Sequence, residues 1–103
     1  MRETITVTIP HRLGKDEALR RIKNGIGEAR TTLAGVLTVK EESWSGDTLA
    51  FRVSALMQEV AGTIVVAEHN VRLDVELPWL LAKLAKVITP AIKKEGVLML
   101  EKK

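Results

Sequence analysis

Two histidines, two carboxylates spaced two apart and three serines are the residues of this chain whose types could do chemistry. His11 and His69 would each need further ligands converging on them to hold a metal. No two ligand candidates share a diagnostic spacing. The chain has no cysteine, which removes disulfides and thiolate zinc sites and fits a reducing cytosol. His11 and Arg12 fall in a loop between a strand pattern and a helix pattern. There His11 reads either as a hydrogen bonder that fixes the loop or as a functional loop group. His69 reads as a solvated turn residue. Asp74 and Glu76 project to the same face of a strand, and paired carboxylates can do acid–base work when their surroundings split their pKa values. Arg72 shares that face, so a solvated cross-strand charge pattern is the stronger reading. Ser43, Ser45 and Ser54 lack a nucleophile-elbow context. Gly25-Ile26-Gly27 sits inside a helical pattern without a third glycine, so it is no phosphate loop. These residues assign no catalytic, cofactor or metal site.

The elements that would position them are legible from periodicity. Thr4–Ile9 alternates strictly, with Ile5, Val7 and Ile9 on one side and threonines on the other. Pro10 ends that strand because it cannot donate to a ladder. Lys15 to about Leu33 reads as a helix, with Ala18, Leu19, Ile22, Ile26, Ala29 and Leu33 at helical spacing. Asp16 and Glu17 suit its first turn. Gly25 and Gly27 read as close packing points rather than a hinge. Gly35 ends the helix. Strand patterns follow over Val36–Trp44, Thr48 to about Leu56, Glu59–Ala67 and Val71–Leu77. Ser45-Gly46-Asp47 and Glu68-His69-Asn70 supply turns, and their shortness implies antiparallel hairpins. Pro78 then suits the first turn of a helix. Pro90 must kink or restart it. Thr89 could cap a short second helix to Glu95, with Gly96 as its stop. Val97–Leu100 is open between strand and docked tail.

The order β-α-β-β-β-β-α predicts an α+β fold: a single antiparallel sheet of about five strands with its helices packed on one face. Residues 1–103 are expected to form one domain. Hydrophobic residues make up 46% of the chain and charged residues 28%, which argues against disorder. The net charge of +3 is spread rather than clustered, and only Trp44, Phe51 and Trp79 are aromatic. Neither the dense basic patch nor the stacking platform of a nucleic-acid binder is present. No run approaches a membrane span or a signal peptide.

The junction at Trp79 is the most informative segment. Trp79, Leu80, Leu81 and Leu84 continue into Val87 and Ile88 as an apolar face wider than one sheet contact needs. Trp79 either covers the end of the sheet or anchors a hydrophobic partner. Lys83, Lys86, Lys93 and Lys94 lie beside it, as in an amphipathic interfacial helix. Trp79, Leu80, Leu81, Leu84, Lys83 and Lys86 are therefore the candidate interaction surface.

Asp74-Val75-Glu76-Leu77-Pro78-Trp79-Leu80-Leu81 resembles the closing motif of the polyhydroxyalkanoic acid system family. Thr6-Val7-Thr8-Ile9-Pro10-His11-Arg12-Leu13-Gly14, with Glu17-Ala18 and Arg21-Ile22 after it, is similar to that family's opening. The resemblance spans nearly the whole chain. It implies a bacterial protein with a role near polyester storage granules, and it brings no established enzymatic activity.

The residues and the resemblance together give a non-enzymatic accessory protein of polyhydroxyalkanoate metabolism, cytoplasmic and granule-associated. It would bind the granule surface or a granule protein, need no cofactor, and have a homodimer as a further expectation. The alternative is a small hydrophobic-ligand-binding domain with a pocket between the sheet and the C-terminal helix.

Overall fold

Alternating β-branched residues build the first strand of the computed structural model, which describes residues 2–32, 35, 37–55, 57–78 and 82–101. This strand, β1 (Arg2–Pro10), is followed by helix α1 (Lys15–Thr32). Strands β2 (Leu37–Ser45), β3 (Thr48–Ala55), β4 (Gln58–Val66) and β5 (Asn70–Pro78) come next. Helix α2 (Ala85–Glu101) closes the chain. The five strands form one sheet in the order β1-β5-β4-β3-β2, with every neighbouring pair antiparallel. The fold is thus α+β, in the element order read from the sequence. β2 to β5 form a meander, β1 joins at the β5 edge, and α1 carries the chain across to the far edge.

Cross-strand partners share a face, so the register defines the core. Ile5 opposes Val75, Val7 opposes Leu73 and Ile9 opposes Val71. All but Leu73 are buried, together with Leu49, Val66 and Leu77 from the same face and Ala18, Ile22 and Leu100 from the helices. α2 packs on β1 and on α1, and α1 reaches β4. A methyl group on Gly25 would approach Met99 Cγ to 2.5 Å, and one on Gly96 would approach Ile9 Cδ1 to 2.3 Å. These two glycines let α1 meet α2 and α2 meet β1 at close range.

Gly96 therefore does not stop the last helix. The Gly96 site lies at its crossing with β1, and Val97–Leu100 is helical rather than a strand or tail. Pro90 lies inside the same helix and is exposed, so water can take the carbonyl it leaves unbonded. Tertiary packing of this helix outweighs both breakers. Pro78 is the last residue of β5, opposite Arg2, and not the first turn of a helix. The β4–β5 register reaches only to Glu76, so its missing N–H costs no bond on that side.

β2 carries a β-bulge between Val39 and Glu41. The extra residue, Lys40, shifts the alternation by one. Glu42 then opposes Phe51 and Trp44 opposes Leu49, which turns both toward the helices.

Candidate functional site

α2 buries one side only. Leu100 is buried, and Ile92, Val97 and Met99 pack against the core. The opposite side keeps apolar groups in water: Val87 is 70% exposed and Leu98 is 48% exposed, with Leu84 at 45% just before the helix. Val87, Ala91 and Leu98 recur at helical spacing on one outward stripe. Lys83, Lys86, Lys93 and Lys94 are exposed around it. Of the candidate surface read from the sequence, Lys83, Leu84 and Lys86 therefore lie at the surface together. Trp79, Leu80 and Leu81 lie outside the described residues.

A further apolar group belongs to the end of the molecule at which the stripe begins, and no periodicity in the sequence points to it. Arg2 opposes Pro78, Gln58 opposes Ala55 and Ala55 opposes Leu37, all toward one end of the sheet, so the β3–β4 turn lies at the same end as Pro78. Met57 stands in that turn, 97% exposed. Its φ is 63°, in the left-handed region that side chains avoid and hairpin turns usually fill with Gly or Asn. A large apolar residue held in that conformation in full solvent gains nothing for the core.

The other end is polar and closed by hydrogen bonds. His11 Nε2 lies 3.0 Å from the Ala67 carbonyl oxygen, and the Leu13 amide donates to His11 Nδ1 at 3.2 Å. These partners set the tautomer: Nδ1 accepts and Nε2–H donates. The His11 amide also donates to the His69 carbonyl at 3.0 Å. The ring thus ties the β1–α1 loop to the β4–β5 turn, while neighbouring Arg12 is exposed. Lys15 pairs with Asp47 at 3.0 Å, joining the start of α1 to the β2–β3 turn.

On the outer face of the sheet, Thr6 Oγ1 donates to Asp74 Oδ1 at 2.7 Å and Arg72 pairs with Asp74 at 2.9 Å. The threonine hydrogen bond, then the arginine, hold the Asp74 carboxyl below its ordinary range. That suits a permanently ionised surface group better than a proton donor. Among the described residues no cluster of His, Asp and Glu has the arrangement of a metal site.

An apolar groove lies on the helix face, between α1 and the strands β2 to β4. It lies beside the first helix, and is distinct from the alternative of a pocket between the sheet and the C-terminal helix. The reason is the placement of the helices: α2 packs on β1 and α1 packs on α2 and reaches β4, which leaves the β2–β3 half of the sheet less covered.

A family model described as "Putative polyhydroxyalkanoic acid system protein" matches residues 5–98. The chain belongs to that family. The polyhydroxyalkanoic acid system match runs from β1 into α2, so it takes in the His11 loop, the Pro78 junction and the exposed stripe. Its description names a metabolic system and no catalytic activity. None of the curated proteins matches the chain. No helix among the described residues is long and apolar enough to cross a membrane.

Proposed function

We propose that this chain is a non-enzymatic accessory protein of polyhydroxyalkanoate metabolism that binds the granule surface, or a protein seated on it, through the outward stripe of α2. The observation that carries this reading is Val87, 70% exposed on a helix whose other side is core. Burying a Val or Leu side chain releases about 1.5–3 kcal/mol. Leu84, Val87 and Leu98 together supply a useful driving force for adsorption on an apolar boundary. The lysines around them can lay their alkyl stems along such a boundary and keep their ammonium groups in water. Met57, on the β3–β4 turn, is a further apolar group exposed to solvent.

The test is co-sedimentation of purified protein with isolated granules. Val87→Asp and Leu98→Asp are expected to abolish pelleting while the protein stays folded. Sedimentation velocity of the same variants separates adsorption from self-association through the stripe: a dimer lost in parallel with pelleting assigns the stripe to a second copy. Variants that pellet like the wild-type protein sink the reading.

A further inference from the structure

The groove between α1 and the sheet is a second feature, independent of the α2 stripe. Ile26 stands on its helix side, and Leu37, Val39, Phe51, Val53 and Ile64 form its floor. Its volume is about 180 Å³. That is below the ~300–1,000 Å³ of ordinary small-molecule sites, so it suits one short chain rather than a ring system.

Two charged residues also line it, Arg30 from α1 and Glu42 from β2. They are hydrogen-bonded to each other through Arg30 Nη2. Glu42 faces the groove only because the bulge at Lys40 reverses the alternation of β2. Without that extra residue, Glu42 would point to the outer face. Bulges that re-aim a side chain concentrate beside functional sites.

We propose that this groove binds a short acyl chain with a neutral carbonyl head, an ester or a close equivalent. The alkyl part lies over Phe51 and Val53. Arg30 commits Nη2 to Glu42, and its remaining N–H groups donate to the carbonyl oxygen. Glu42 determines the head group. It already neutralises Arg30, so an ionised carboxylate finds no net positive charge and meets a like charge at close range. A neutral carbonyl carries no net charge for Glu42 to repel and can accept from the remaining Arg30 N–H groups.

Titration of the full chain with methyl hexanoate and with sodium hexanoate, followed by methyl NMR, tests this. Methyl hexanoate is expected to shift the Ile26, Leu37, Val39, Val53 and Ile64 methyls, with hexanoate about tenfold weaker or more, the equivalent of about 1.4 kcal/mol. Glu42→Gln removes the counter-charge and is expected to reverse the order, so that hexanoate becomes the tighter ligand. Arg30→Gln is expected to weaken the ester by removing its donor, while the uncompensated Glu42 carboxylate excludes hexanoate at least as strongly as before. Val87→Asp is expected to bind the ester like the wild-type protein, so this site and the α2 surface stand or fall separately. Absence of ester-induced shifts in the wild-type protein overturns the proposal. So does equal binding of ester and acid, or a Glu42→Gln variant that keeps the wild-type order.

Discussion

The two ends of the sheet are built on opposite principles. At the His11 end, every connection is polar and tied down: Ala67 donates to Asn70 across the β4–β5 turn at 2.8 Å, and Val66 donates to Asp47 at 3.0 Å. Gly46 takes the positive φ that its turn requires, at 62°. At the Pro78 end, Met57 takes a positive φ without being a glycine, and Leu84 and Val87 stand in solvent. The same backbone problem, a tight hairpin, has a relaxed solution at one end and a strained apolar one at the other. Backbone strain that the core does not require makes Met57 a position to test for function. The connections at the His11 end tie strands and helix together, whereas those at the Pro78 end leave apolar groups in solvent.

The largest effect that would break this division is at Leu49, 1% exposed and next to the first residue of β3 at the His11 end. Leu49→Ala is expected to cost about 2–5 kcal/mol in denaturant unfolding. Phe51, only half-buried over the groove, should cost less on truncation than the ~3–5 kcal/mol of a fully buried phenylalanine. His11→Ala comes next. It removes a ring that bonds on both nitrogens, at about 0.5–1.5 kcal/mol for each bond. The His11 variant should still pellet with granules at wild-type level. A variant of unchanged stability that no longer pellets would move function to the wrong end.

Met57→Gly sharpens the comparison from the other side. Relief of the left-handed conformation, which costs roughly 1–2 kcal/mol for a non-glycine residue, is partly offset by the flexibility of glycine. The melting temperature should rise slightly while granule pelleting falls. Val87→Asp should shift stability by no more than about 0.5 kcal/mol, because it touches nothing in the core.

The smallest expected effect is a pH dependence at the start of α1. Glu17 accepts hydrogen bonds from Arg20 and Arg21, which lower its carboxyl from an ordinary 4.5 to about 2. Arg21 also donates to the Leu100 carbonyl at 2.5 Å, linking α1 to α2. A depressed carboxyl stabilises the fold fully above its unfolded value, and the contribution disappears as pH falls from about 4.5 toward 2. Glu17→Gln should flatten the stability profile across that window, lying slightly below the wild-type protein near neutrality, where the ionised Glu17 contributes fully, and meeting it near pH 2. A wild-type profile that is already flat there would show that the ion pairs are fully screened by solvent.

The sequence by itself determined the strands, their antiparallel pairing, the order of elements and the family. These follow from short-range patterns: alternation within β1 and β5, helical spacing from Ala18 to Ala29, and glycine or asparagine in the polar turns. It also exposed the apolar excess after Pro78, because a surplus over one helical stripe can be counted without coordinates. The tertiary structure alone decided the rest. Pro78 stays in a strand because β1 continues to pair with β5. The last helix runs through Pro90 and Gly96 because packing against Ile9 and α1 outweighs local propensity. Met57 becomes conspicuous only through its φ and exposure, neither of which periodicity carries. Glu42 faces Arg30 only because the bulge at Lys40 reverses one strand's alternation, and a bulge depends on how a strand pairs with its neighbour rather than on its own residues.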